Sequence, residues 1–95
     1  PYGRLAALIL SGAEAPIVKR EGRNLVRAAP EHEGWLVLGP APAPLALLRG
    51  RYRERILIKA PPDPEMPQKI AEWLARVKLP GAVRLQVDID PQSFF

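Results

Sequence analysis

Leu5 to Leu10 is an unbroken aliphatic run held between Gly3 and Gly12, too short for a helix, and it predicts a buried strand. From Ala13 to Ala29 the apolar residues Ile17, Val18, Leu25, Val26 and Ala29 recur near helical spacing, with Pro16 in the first turn and Pro30 as a stop. Gly22-Arg23-Asn24 weakens this helix in its middle and leaves room for a kink or interruption there. Trp35 to Leu38 predicts a second short strand, after which the run Gly39-Pro40-Ala41-Pro42-Ala43-Pro44 is expected to leave the sheet as a semi-rigid connector, because proline cannot donate to a ladder. The competing reading of that run is a protruding arm or a proline-motif ligand.

The segment from Arg51 to Ala60 alternates with period two, placing Tyr52, Ile56 and Ile58 on one face and Arg49, Arg51, Arg53, Arg55 and Lys59 on the other. Asp63 is placed to cap a helix with Pro64 at its first position, and Met66, Ile70, Trp73, Leu74 and Val77 form its apolar stripe down to Leu79-Pro80-Gly81. Val83, Leu85, Val87 and Ile89 then alternate with Arg84, Gln86, Asp88 and Asp90 as a half-buried strand ended by Pro91. Strand, helix, strand, strand, helix, strand is the order of the split βαβ plan. The expected fold is therefore α+β and ferredoxin-like, a four-stranded antiparallel sheet with both helices on one face and the other face open. All 95 residues fit a single domain with one core.

Charge adds what periodicity cannot. Arg49 to Lys59 holds five basic residues and one acid, Glu54, while the rest of the chain balances, so the net charge of +4 is assigned to one strand. Arginines at spacing two on one sheet face repel each other and call for an outside anion. Arg outnumbers Lys ten to four, and its planar fork suits phosphate. The candidate polyanion-binding residues are Arg49, Arg51, Arg53 and Arg55, with Lys59 and Arg84 as weaker contributors. Aromatic interleaving is thin: Tyr52 is read as a core-rim residue with its hydroxyl in water, and Trp35 and Trp73 as packing residues, so backbone-directed, salt-sensitive binding is expected rather than base readout.

Several chemistries are excluded or set aside. Without cysteine there is no disulfide, thiolate zinc site or cysteine nucleophile. His32 stands alone between Glu31 and Glu33 and is read as a surface residue, and no glycine-rich loop ending in Lys-Ser or Lys-Thr is present to cradle a nucleotide. Asp88 and Asp90 share a strand face at a spacing that could hold Mg²⁺, and are read instead as a solvated face. Ser93 has no histidine nearby, and Phe94-Phe95 are expected to dock on the core or on another domain. No catalytic, metal or cofactor site is assigned to this chain. Leu5 to Leu10 is far shorter than a membrane span and lacks the remaining parts of a signal peptide, so a cytoplasmic location and no membrane partner are expected. The chain opens on Pro1 rather than Met, directly into strand, and is read as a piece of something longer.

Four separated stretches resemble one family in the right order: Tyr2 to Gly12, Leu38 to Pro44, Arg51-Tyr52-Arg53, and Val87 to Phe95. The chain resembles, over its whole length, the C-terminal domain of the bacterial primosomal protein N′ family (PriA, replication factor Y), the replication-restart DNA helicases. The resemblance implies a parent that is an ATP-dependent 3′ to 5′ helicase acting in primosome assembly. Such a parent binds single-stranded or forked DNA and works with single-stranded-DNA-binding protein to reload the replicative helicase. It also implies that ATP, Mg²⁺ and zinc are held upstream, that the closing segment is the family's natural chain end, and that this domain helps contact DNA and partner protein. The expected function is a non-catalytic DNA-binding and protein-interaction module. The alternative is a purely structural domain docked on the upstream helicase lobes without touching DNA. A small-molecule-sensing domain of the same plan is a third possibility, for which no polar pocket constellation is visible.

Overall fold

Four stretches of alternating or aliphatic sequence pair into one antiparallel sheet, and two amphipathic helices cover its apolar face. The computed structural model describes residues 3–90. Its elements run β1 (Arg4–Gly12), α1 (Ala15–Arg27), β2 (Leu36–Leu48), β3 (Arg51–Ala60), α2 (Met66–Ala75) and β4 (Arg84–Ile89). The sheet order is β2-β3-β1-β4, with every neighbouring pair antiparallel. This is the expected α+β, ferredoxin-like arrangement.

Register follows from the hydrophobic alternation, because a slip of one residue would turn the apolar set outward. Ala6 and Leu8 of β1 lie opposite Ile58 and Ile56 of β3, and Leu8 and Leu10 lie opposite Val87 and Leu85 of β4. On this face the core collects Leu8, Leu10, Ile56 and Ile58 from the sheet, Val18 and Leu25 from α1, and Met66, Ile70 and Trp73 from α2, all nearly inaccessible. The Trp73 indole Nε1–H donates to the Leu25 carbonyl at 3.1 Å, tying α2 to the end of α1.

The helix α1 is continuous through Gly22. Gly22 is buried, and a Cβ there would stand 3.0 Å from the Pro40 Cβ, so the missing side chain admits the proline ring of β2. Packing, not local propensity, decides the residue at this position. The helix α2 starts at Met66, later than the Asp63-Pro64 start. Asp63 instead closes the preceding turn, its Oδ1 accepting from the Glu65 N–H at 2.8 Å and its other oxygen pairing with Lys69 at 2.6 Å.

The proline run departs most from expectation. It does not leave the sheet: β2 continues through Pro40, Pro42 and Pro44 to Leu48, with register breaks between Leu38 and Ala41 and between Pro42 and Leu47. β2 is the sheet edge and pairs only with β3, so a proline's missing N–H removes no bond on its outer side, and the bulges absorb the rest. Gly39 adopts φ 112°, and a Cβ there would lie 2.7 Å from the Arg55 carbonyl oxygen, so only glycine lets β2 pass β3 at this point. β2 then turns into β3 through Arg49-Gly50, both at positive φ, a two-residue hairpin of the primed type.

Candidate nucleic-acid interface

The face of the sheet away from the helices is built by the other parity of each strand. On β3 it carries Arg51, Arg53, Arg55, Leu57 and Lys59, and the single acid of that strand, Glu54, points the other way and is 3% exposed. The cation row therefore has no acid within it. Arg53 lies opposite Ser11 of β1, and Ser11 lies opposite Arg84 of β4, so two arginines flank one small side chain across three strands. With strands about 4.8 Å apart, their Cα atoms stand roughly 10 Å from each other.

The small central residue leaves a groove of about 490 Å³, lined by Arg49, Arg51, Arg53 and Arg84 over Ile9, Ser11 and Leu48. No carboxylate lines it. Arg51 is anchored, donating from Nη2 to the Ser11 carbonyl at 2.8 Å and from Nε and Nη2 to the Ser11 hydroxyl at 3.4 and 3.3 Å. Arg53 donates from Nη1 to the Pro44 and Leu45 carbonyls at 2.9 and 3.4 Å, holding the bulge of β2. Each spends only part of its five-donor fork on these bonds, which fixes the guanidinium while leaving donors for an anion. Arg49 and Arg84 are exposed on the rims.

The six candidate residues thus separate. Arg49, Arg51, Arg53 and Arg84 converge, with Arg49 in the hairpin turn rather than on the strand face, and Arg84 as prominent as the rest. Arg55 lies half-buried on the same face between Ile9 and Ala41 but outside the groove. Lys59 is remote, six residues or about 20 Å along the strand, beside a second depression of about 630 Å³ that it shares with Gly3, Arg4 and Leu36.

Asp88 and Asp90 do not act together. Asp90 lies just past β4 at φ 48°, where it pairs with Arg4 at 2.7 Å and accepts from the Leu5 N–H at 3.0 Å. The Leu5 N–H first, and then Arg4, hold the Asp90 carboxyl below the ordinary carboxylate range; the Lys69 ammonium first, and then the Glu65 N–H, do the same for Asp63. Groups with lowered folded values add stability above the unfolded value of about 3.9 and lose it as pH falls through the folded value. Melting temperature should therefore be flat from neutrality to about pH 5 and fall below about pH 4. Asp90→Asn should reduce this acid loss in melts followed from pH 6 to 2.

Tyr52 is half-buried at the rim of the core, as expected, and its hydroxyl donates to the buried Glu54 Oε2 at 2.5 Å, a bond the sequence did not show. Trp73 is a core residue, and Trp35 is half-buried with the His32 ring 4.8 Å away. Ser93 and Phe94-Phe95 lie outside the described residues. Among the described residues no three His, Cys, Asp or Glu side chains gather to hold a metal ion, and the donor set offers neither the thiolates zinc prefers nor a phosphate loop for ATP. No described helix is long and apolar enough to cross a membrane.

The sequence profile of the primosomal protein N C-terminal domain matches residues 1–92. The chain is 37% identical over all 95 residues to replication restart protein PriA of Rickettsia conorii and equally to that of Rickettsia typhi, and 38% identical over 55 residues to that of Treponema pallidum. It spans 14% of the length of the Rickettsia proteins.

Proposed function

The chain belongs to the family of the primosomal protein N C-terminal domain, and from that membership we propose that it is a non-catalytic DNA-contacting domain of a replication-restart helicase. The observation that carries this is the acid-free groove in which Arg49, Arg51, Arg53 and Arg84 converge. Guanidinium forks held by Ser11 and by the β2 bulge grip phosphate oxygens of single-stranded or forked DNA, and Arg55 and Lys59 extend the positive field along β3. The apolar floor has no aromatic platform for stacking, so binding is sequence-tolerant and salt-dependent. In this reading ATP, Mg²⁺ and zinc chemistry belong to upstream parts of the helicase, the location is cytoplasmic, and single-stranded-DNA-binding protein is a partner of the whole.

The test uses Arg49 and Arg84, since reversing Arg51 or Arg53 would also break the bonds to Ser11 or to the β2 bulge. Fluorescence anisotropy with labelled single-stranded and forked DNA at several salt concentrations should show the Arg49→Glu/Arg84→Glu variant binding more weakly. Its salt slope should flatten by about two units, one for each lost phosphate contact, with the melting temperature unchanged. Unchanged affinity and slope would remove the groove from DNA binding. A second reading, docking on the helicase lobes, is favoured by Leu36, Leu38, Leu45, Leu47 and Leu48, all exposed along β2. It predicts that Leu45→Ser/Leu47→Ser lowers the melting temperature of the full-length protein and not that of the isolated domain.

A further inference from the structure

The helix α1 buries Val18, Glu21, Gly22 and Leu25 against the sheet. At 100° per residue the opposite side of the cylinder carries Arg20, Arg23 and Arg27, with Lys19 on its flank, and all four are exposed. The only acid within the helix, Glu21, is 7% exposed and turned inward, where it pairs with Arg20 at 3.0 Å. The outward side of α1 is thus a row of cations whose one neighbouring carboxylate is taken by Arg20, and among the described residues Arg23 and Arg27 have no acid partner. Lys19, Arg23 and Arg27 repeat at intervals of four residues, about 6 Å apart along the axis, and like charges at this spacing weaken a helix. At the C-terminal end Arg76 of α2 reaches over to the Ala28 carbonyl at 3.3 Å and lengthens the row. Lys19 also lies 5.4 Å above the Tyr52 ring, a contact that leaves its charge in place.

Resting on the reading of the sheet groove as a DNA site, we infer that the outward face of α1 is a second phosphate-binding surface, which takes the backbone of a separate DNA segment. The two surfaces lie on opposite sides of a two-layer domain, one on the open sheet face and one on the outside of the helix layer. A duplex, stiff over about 150 base pairs, does not bend around a body of 36 × 29 × 16 Å to reach both. Two segments do so without bending, and the cations between them offset their mutual repulsion. The domain then acts as a bridge between two arms of DNA. The row reads phosphate and not bases: its one amide, Asn24, is engaged by the Arg27 Nη1 at 3.1 Å, and its one aromatic neighbour, Tyr52, lies beneath Lys19.

The test mixes this chain with short duplexes carrying a donor or an acceptor dye and reads energy transfer between duplexes, with stoichiometry from sedimentation. The expected result is two duplexes per wild-type chain with energy transfer. Arg23→Glu/Arg27→Glu should bind one duplex, lose the transfer and flatten the salt slope by about two units. Arg23→Gln/Arg27→Gln, which removes the charges without reversing them, should show the same loss of transfer. Arg23→Gln/Arg27→Gln should melt close to the wild-type temperature, because relief of the like-charge row is offset by loss of the Arg27 cation and its bond to Asn24 at the helix C-terminus. Arg49→Glu/Arg84→Glu should also bind one duplex, now on the helix side. A single duplex per wild-type chain, or Arg23 and Arg27 variants with unchanged stoichiometry and slope, overturns the inference. If binding is lost only in the Arg49/Arg84 variant, the groove remains a DNA site and the helix face does not. If it is lost only in the Arg23/Arg27 variants, the helix face binds DNA and the groove does not, and the bridge fails. No binding by the wild type at low salt overturns both.

Discussion

Trp73→Ala is expected to lower stability by about 3–5 kcal/mol, the largest effect of any single substitution considered. Trp73 is fully buried where α2 meets α1 and the sheet, and its neighbours in the core, Leu25, Ile70 and Met66, are themselves nearly inaccessible. Truncation removes the ring, leaves a cavity that close-packed neighbours can only partly fill, and orphans the Leu25 carbonyl that now accepts from the indole N–H. A domain of this size has about 5–15 kcal/mol in all, and each kcal/mol moves the midpoint by about 4–8 °C, so a fall of about 12–40 °C follows. Trp73→Phe keeps most of the volume and loses the hydrogen bond, and should fall between the two. Thermal melts followed by circular dichroism measure both, and Trp35, half-buried beside His32, remains as a fluorescent reporter in each variant. A Trp73→Ala variant melting within a few degrees of the wild type would mean that the helices are not held on the sheet by this residue.

The core was readable because it follows simple patterns: Leu5 to Leu10 is a short unbroken aliphatic run, Arg51 to Ala60 alternates as a strand does, and Met66, Ile70 and Trp73 fall on one helical side. The path of β2 was not readable. Proline is a breaker in a central strand and harmless at an edge, and whether Pro40 to Pro44 lie at an edge depends on β3 pairing with β1 on its other side, a long-range fact. The same holds for Gly22, which local propensity marks as a defect and the Pro40 ring explains.

The basic strand was legible because its cations recur at spacing two within one segment, yet the balance of charge along the chain concealed as much as it showed. Glu54 subtracts from the strand in a sequence sum and contributes nothing to its open face, since it points into the core. Glu21 likewise offsets one cation of α1, Arg20, with which it pairs, and acids elsewhere in the chain offset the others in the sum, so the row of Lys19, Arg23 and Arg27 disappears into a neutral remainder. The helical interval of four in Lys19, Arg23 and Arg27 was the available signal. Asp90 shows the converse: a two-residue spacing suggested a shared face with Asp88, and a left-handed turn after β4 sent it to Arg4 and Leu5 instead.

Tyr52→Phe is expected to cost about 1–3 kcal/mol, far more than a lost hydroxyl at a surface. Glu54 is an acid on the core side of β3, opposite Leu10 of β1 and Pro42 of β2, and the Tyr52 hydroxyl donates to its Oε2. Deleting that donor leaves a buried carboxylate short of a partner, and the penalty is the desolvation of the acceptor rather than the modest net worth of the bond. Adding Glu54→Leu to Tyr52→Phe removes the acceptor as well, so the double variant should recover most of the loss, and a double-mutant cycle on melting midpoints reads the coupling. Titration gives an independent check. The Glu54 hydrogen bond first, then burial and the Glu54 charge, push the Tyr52 phenol up to about 12. A raised folded value contributes stability that is whole below the unfolded value of about 10 and disappears as pH climbs through about 12. The tyrosinate absorbance of the wild type, less that of Tyr52→Phe, should therefore show one phenol titrating near 12 in a shared alkaline unfolding transition. A phenol that ionises near 10 without unfolding would show that Tyr52 points to solvent and that Glu54 finds its partner elsewhere.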